Sequence, residues 1–502
     1  MNLKKLLAGI LLLLPFVLGT LGYMEAGCNV TDALYATLCL YVINPASDEI
    51  NLLIEIARWT GPLATAGGVL LALQGVWQRF RDRIRGMHKD AVAVYCEEDQ
   101  PIGETFAGKL KHGILVTDGK VRKAPQQILL YRNDLDNLNL YHENAAFFES
   151  RKVYMRLENT DSFLLKKSKI NFFSAGEIIA REYWRKYDLT PYLQADSMKV
   201  NIAIIGFGTM GRRILNYGLQ SNLYRLNQEI TYHVWGDSTL YRNSYAGFRM
   251  MNGDRIVFHD AGWERDLSIL PEMDRIIVTD TDNLTLLQEI LGKCVSGEIH
   301  YYCPGEALLS EIFANDRFCC FGREKEVLTP EQVRSDSTYH FAKEINYQYA
   351  LTYGNGAAPQ DDKAKEAAMT EAWEELNGFT KGSNLAAADY HEIRLKILKR
   401  MAQLGMKCTR EQLCEEEHIR WCRFHYLNHW KYGVPDSYHD PDPAKRKNKD
   451  PEKKIHMFLV PFADLSEQEK QKDWANIEVL LALKDGGIDW KSILKKEEEE
   501  QK

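Results

Sequence analysis

Val200-Asn201-Ile202-Ala203-Ile204-Ile205-Gly206-Phe207-Gly208-Thr209-Met210-Gly211 is the stretch that decides the fold. Val200 and the apolar run Ile202–Ile205 predict a strand buried on both faces. The run stops at Gly206, Gly208 and Gly211, and an arginine-flanked helix is expected from Arg212. A G-x-G-x-x-G pattern carries meaning in this strand–turn–helix context. Its glycines permit a tight turn, close backbone approach to a pyrophosphate, and close helix–strand packing. Gly206, Phe207, Gly208, Thr209, Met210 and Gly211 are therefore candidate cofactor-binding residues.

Downstream, Ile230–Trp235 predicts a second strand that ends in Gly236-Asp237. Arg255–Phe258 and Arg275–Asp280 predict a third and a fourth, the last ending at Thr279, Asp280, Thr281 and Asp282. In such sheets the strand C-termini form the ligand crevice. Asp237 is the candidate acid for a ribose hydroxyl, and Thr279 and Asp280 are candidate ligand contacts. The alternative for both acids is loop capping.

Upstream, Ala91–Tyr95, Gly113–Asp118, Ile128–Tyr131 and Val153–Leu157 read as strands, and Ile102–Leu110 and Ala175–Tyr187 as helices. Alternating strands and helices argue for a parallel α/β sheet. Where a glycine turn belongs stands Cys96-Glu97-Glu98-Asp99-Gln100-Pro101. Three acids there would repel a pyrophosphate, so residues 87–196 form a degenerate first copy and 197–334 the intact second one.

The 502-residue chain has 45% hydrophobic and 26% charged residues and a net charge of −7. That balance is ordinary for a globular protein and gives no sign of nucleic acid as a partner. Ten cysteines without framework spacing predict reduced thiols. Residues 1–86 differ in kind. Apolar runs at about 6–24 and 59–77 are long enough to span a bilayer, and the second is followed by Arg79, Arg81, Arg83 and Arg85. Basic residues at both outer ends place both chain ends in the cytoplasm. The rival is a cleaved signal peptide. The apolar segment at 32–43 is too short to span, and two readings stand for it: a pore helix or an interfacial helix. A Thr-Val-Gly-Tyr-Gly filter does not occur after it, so potassium selectivity is not supported.

Two spans, a short intervening helix and tandem nucleotide-fold units resemble the RCK, or TrkA-N, regulators of channels and transporters. The resemblance implies Rossmann units beneath a membrane, homo-oligomers such as tetramers, and NAD or another adenine nucleotide as ligand. No anchoring arginine and general base of the dehydrogenase kind stand out, so an NAD-dependent oxidoreductase is the lesser alternative and no enzyme activity is expected.

From Ser335 the pattern becomes helical, with helices expected at about 363–377, 384–404 and 409–430. Glu417-His418-x-Arg420-Trp421, Trp430-x-Tyr432-Gly433, Leu459-Val460-Pro461-Phe462 and Lys472-Asp473 occur in that order. They are similar to the RyR domain, the helical repeat of ryanodine receptors, over 335–490, before a charged tail at 491–502. That resemblance implies a signalling-nucleotide sensor of bacterial anti-phage defence. His418, Arg420, Trp421, Trp430 and Tyr432 are candidate ligand contacts, since arginine can grip phosphate and aromatic faces can stack on a base. The alternative is a packed helix in which Arg420 pairs with Glu416 or Glu417. Cys414, His418, Cys422, His425 and His429 form one stripe of that helix, expected to be buried, with no metal site.

The fold class expected is therefore a two-span α-hairpin with a pore-type helix, tandem α/β Rossmann-like units and a mainly helical C-terminal domain. The expected function is a nucleotide-sensing, channel-like effector or regulator in a bacterial inner membrane. Its alternative is a non-conducting regulatory or scaffold subunit.

Overall fold

The computed structural model describes residues 3–46, 48–159, 170–280, 284–293, 297–305, 316–334, 337–353 and 361–495, without the side chains of 3–12 and most of 68–79. It divides into a helical unit, residues up to Ala91 with Arg122–Ala124, and a larger unit holding the rest. Residues 496–502 of the expected tail, the loop at 355–360, and Thr281 and Asp282 lie outside the described residues; the start of that tail is a short helical turn (Trp490–Ile493) with Ile493 buried.

The helical unit comprises α1 (Leu3–Glu25), α2 (Val30–Leu40) and α3 (Leu52–Arg85). Asn29 caps α2 by accepting from the amide of Asp32, and Asn51 caps α3 by accepting from that of Ile54. Asn51 Nδ2 also donates to Gly22 O at 2.7 Å, which ties α1 to α3. Gly22 lets the two helices approach, because a Cβ there would sit 2.8 Å from Ile54 Cγ1. Tyr23, Ala33, Ala36, Leu40, Ile54 and Ala57 form the small core. Sequence patterning separated an apolar run from an arginine linker, but α3 is one continuous helix of 34 residues. The Gln-Arg-Phe-Arg segment has good helix formers and nothing to break the turn until Gly86. Among the described residues no helix is long and apolar enough to cross a membrane.

The larger unit begins with β1 (Val92–Tyr95), α4 (Pro101–Gly108), β2 (Gly113–Val116), β3 (Gln126–Leu129), α5 (Asp134–Glu143), α6 (Ala145–Phe148), β4 (Lys152–Arg156), β5 (Asn171–Phe173) and α7 (Ala175–Lys186). The sheet is parallel, in the order β2-β1-β3-β4-β5. That is the flavodoxin-like order, with its switch point between β1 and β3. The first copy thus keeps the layered α/β plan with a strand order of its own.

Next come β6 (Lys199–Ile205), α8 (Thr209–Ser221), β7 (Glu229–Trp235), α9 (Thr239–Ser244), β8 (Arg255–His259), β9 (Arg275–Val278), α10 (Leu284–Lys293), β10 (Glu298–Tyr302) and β11 (Phe318–Phe321). The order β11-β10-β9-β6-β7-β8 is the doubly wound Rossmann order, and its switch point lies between β6 and β9. β10 and β11 go beyond the four strands legible in the sequence. Their Glu-Ile-His-Tyr-Tyr and Phe-Cys-Cys-Phe runs lack the aliphatic signature of a buried strand.

Two short helices, α11 (Glu324–Val327) and α12 (Pro330–Arg334), lead to α13 (Ser337–Tyr353), α14 (Asp362–Glu374), α15 (Gly378–Gln403) and α16 (Arg410–Leu427). A small sheet follows, made of β12 (Lys431–Tyr432), β13 (Lys449–Asp450) and β14 (Ile455–His456), and then α17 (Glu467–Leu483). A capping box between Thr409 and Gln412 starts α16. These helices share one core with the second sheet: Ile214 and Leu215 of α8 cluster with Ile393 and Ile397 of α15 and Leu413 of α16. Arg181 meets Asp389 at 2.6 Å and Lys396 meets Asp188 at 2.7 Å across the same junction.

Candidate functional site

The glycine turn sits at the switch point. Gly206 has φ +92°, and a Cβ on it would lie 2.6 Å from the amide nitrogen of Asp280. A Cβ on Gly211 would lie 2.3 Å from Gly206 O. Neither position admits another residue without movement. Gly208 is different: it N-caps α8, brings no side chain to the first-turn amides, and has nothing within 4 Å of a built Cβ. Uncapped amides and the positive end of the helix dipole face that open space, which suits an anion.

Thr279 clamps the turn from β9. Its amide donates to Ile205 O at 2.8 Å, and its hydroxyl donates to the carbonyl of Gly206. Asp280 is exposed beside it. Asp237 is exposed at the end of β7 and accepts from the amide of Thr239 at 3.0 Å. That bond, with the Thr239 side chain and the Arg212 charge, holds its carboxyl below the usual range. The loop-capping alternative for Asp237 thus describes a contact it makes, and full exposure leaves lone pairs for a second partner. Gly236, at φ +129°, brings this corner against Phe207. The side chains of Phe207 and Met210 are 3% and 8% exposed and belong to the core, so at these positions only the backbone faces the crevice. Arg212, next to the last glycine, was not singled out in the sequence. Its Nε donates to Phe207 O at 3.4 Å, which puts a guanidinium beside the crevice.

The equivalent corner of the first sheet is filled by its own side chains. Gln100, 2% exposed, occupies the N-cap position of α4 without a side-chain bond to that helix and sends Nε2 to Leu130 O at 3.4 Å, between the ends of β1 and β3. Glu97 accepts from the amide of Arg132 at 2.8 Å. A Cβ on Gly103 would strike Cys96 Sγ at 2.2 Å.

The C-terminal candidates are mostly internal. Arg420 is 2% exposed, and its Nε and Nη2 donate to Glu417 Oε1 at 3.0 and 2.5 Å. Glu417 also accepts from Arg394 Nη2 at 2.5 Å. Burial alone would raise the Glu417 carboxyl, but Arg420 and Arg394 hold it down to about 2. The ion-pair alternative for Arg420 is therefore the contact found. His418 is 3% exposed, bonds Val460 O through Nε2 at 2.8 Å, and is pushed below its ordinary range by burial. Trp430, 6% exposed, stacks on Phe379 at 5.0 Å. Trp421 is half-buried between His425, centroids 4.0 Å apart, and His456, 4.9 Å away. Tyr432 is 54% exposed on β12. These five residues do not converge on one open pocket. Along the Cys/His stripe, Cys422 Sγ lies 3.4 Å from His418 Nε2, while His429 stacks on Tyr245, the residue that ends α9.

Neither a protein-family model nor a curated protein sequence matches the chain. Among solved structures it is similar to the crystal structure of GsuK bound to ADP, with TM-score 0.32 and 15% identity over 64% of this chain and 94% of that one. The GsuK channel gives TM-score 0.34 and 12% identity over 66% and 83%. The GsuK channel bound to NAD gives TM-score 0.32 and 13% identity over 68% and 84%.

Proposed function

We propose that this chain is a nucleotide-sensing regulator that binds an adenine nucleotide, NAD or ADP, at the Gly206–Gly211 turn. One observation carries the proposal: Gly208 opens onto empty space above the uncapped start of α8, while Gly206 and Gly211 are packed where no Cβ fits. The pyrophosphate would lie on the amides of Thr209, Met210 and Gly211, with Asp237 toward a ribose and Thr279 and Asp280 lining the far side. The nucleotide is sensed and not turned over. The GsuK structures holding ADP and NAD agree with that ligand class. Titration calorimetry of the full chain with NAD and ADP tests the site, and no heat with either ligand would sink it.

In the same proposal the helical unit anchors the protein in a cell membrane, with both ends cytoplasmic and the chain in a homo-oligomer such as a tetramer. Leu13 at 60%, Trp59 at 70% and Leu63 at 69% exposure give this unit an apolar exterior, which water would not favour. Ligand binding would bias the arrangement of the oligomer through unequal affinity for two states. Carbonate extraction of membranes distinguishes an anchor from a peripheral protein. Ion flux from liposomes holding only this chain separates a conducting effector from a scaffold subunit, and NAD turnover by the purified chain would replace sensing with catalysis.

A further inference from the structure

α9 has only six residues, so it leaves part of β8 uncovered on the face it shares with α8. The gap is a cavity of about 310 Å³, at the lower end of the range for small-molecule pockets. Its apolar walls are Tyr241 of α9 and Tyr245 just after it, Phe248 and Met250 from the loop beyond, and Ile256 and Phe258 from β8. Four of the six are aromatic, so a flat ring can lie between π-faces.

Two arginines line the cavity, Arg242 and Arg255, the second donating its Nε to Thr231 Oγ1 at 2.9 Å. Arg242 is exposed, with its guanidinium 5.8 Å from the Phe258 ring centroid. Its ion pair with Asp260, at 3.0 Å, joins side chains 52% and 86% exposed, so it is easily exchanged. The acid at the floor does not oppose an anion. Asp254 accepts from Gln228 Nε2, the Ile230 amide, Asn252 Nδ2 and Arg423 Nη2, and that arginine is fully buried with it.

The cavity also touches both functional modules. The Phe207 ring of the glycine turn meets Tyr241 at 5.1 Å and Phe258 at 6.0 Å. On the other side Tyr245 stacks on His429 at 5.0 Å, with planes 7° apart, and Phe248 meets Tyr426 of α16 at 6.0 Å. We infer that this cavity is a second ligand site, separate from the glycine turn. It takes a planar heteroaromatic anion, a nucleobase-like ring bearing a phosphate or carboxylate. The ring lies among Tyr241, Tyr245, Phe248 and Phe258, and its acid group meets Arg242.

Adenosine monophosphate is the probe, applied to the full chain carrying Gly208→Asp, which closes the glycine turn without touching the cavity. Calorimetric binding should persist in this background, and saturating probe should slow hydrogen exchange across 241–258. Arg242→Glu and, separately, Tyr245→Ala should each weaken binding at least tenfold; Arg242→Glu should leave the melting temperature unchanged, whereas Tyr245→Ala also loses its stack on His429 and lowers it. The inference is overturned by absence of binding in the Gly208→Asp chain, by exchange unchanged at 241–258, or by both variants binding within twofold of the parent. Failure of the glycine-turn proposal has a separate signature, namely NAD binding the Gly208→Asp chain as it binds the wild type.

Discussion

Arg423 Nη2 lies 2.9 Å from Asp254 Oδ2, and neither side chain is exposed to solvent. The pair joins α16 to the loop before β8, and the same arginine also donates to Leu219 O, Met250 O and Asn252 Oδ1. Removing one partner of a buried, hydrogen-bonded pair strands the other charge in a dry interior. Arg423→Ala should therefore cost about 3–5 kcal/mol. Calorimetric melting should show the second sheet and the C-terminal helices unfolding in one transition in the wild type. Two well-separated transitions there would contradict the shared core.

The glycines of the turn should respond differently to the same methyl group. Gly206→Ala forces a Cβ against Asp280 at a backbone angle that alanine resists, so stability should fall by about 1–3 kcal/mol. Gly208→Ala meets open space and should melt as the wild type does. Gly208→Asp should also fold, but its carboxylate would occupy the anion position and abolish calorimetric NAD binding. Equal destabilisation by the two alanines would remove the distinction.

Two buried carboxyls should each lose stabilising effect as pH rises from about 5 to 8, against the histidines His233, His300, His391, His418, His425 and His456, whose lowered values make stability rise over the same range. Burial lifts the Glu416 carboxyl to about 7 and that of Asp473 to about 8. A carboxyl raised on folding binds more protons in the native state, so its stabilising contribution is complete below the unfolded value and is lost on rising through the folded one. For Glu416 the loss is on the order of 3 kcal/mol. Glu417 and Glu158, both held down to about 2, act oppositely, and their contribution is lost only as pH falls below the ordinary carboxylate range. The melting temperature at pH 8 minus that at pH 5 should thus be more positive in Glu416→Gln than in the wild type, because the mutant lacks the Glu416 loss while the histidine gain remains. An unchanged difference would show that Glu416 does not titrate in this range.

Glu158 joins the two sheets. It meets Arg156 at 2.8 Å and Arg213 at 3.0 Å, and accepts from the amides of Ala175 and Gly176 at the start of α7. Glu158→Ala should cost more than the roughly 1 kcal/mol of a simple helix cap, because Arg213 loses its carboxylate and Arg156 is left with Glu324 alone. Denaturant midpoints measure it, and a loss no larger than a cap would show the arginines to be satisfied elsewhere.

Local chemistry made much of this protein legible. The Ile202–Ile205 run and the three glycines announce strand, turn and helix, since those preferences act within a few residues. The acids after β1 set the first corner apart from the second by composition. The means by which it is filled was not readable, because Gln100 is tied to Leu130, 30 residues away. Asp237 and Thr279 reach the crevice edge because they end strands. Arg420 and His418 looked like ligand contacts by residue type, yet their environment was set by Glu417, Arg394 and Val460. β10 and β11 escaped notice because their burial comes from neighbours, not from aliphatic composition.

The sequence by itself determined where strands alternate with helices, where the glycine turn falls and where the apolar N-terminal helices lie, since each follows from period, propensity and backbone freedom over short windows. Only the tertiary structure decided the two strand orders, the filling of the first corner, the merger of the C-terminal helices with the second sheet, and the aromatic cavity under α9. Each of these depends on which distant groups meet once the chain is packed: Arg394 and Glu417 are separated by 23 residues, Arg423 and Asp254 by 169. No local preference encodes such a meeting, and the free energy of a buried charge depends on it.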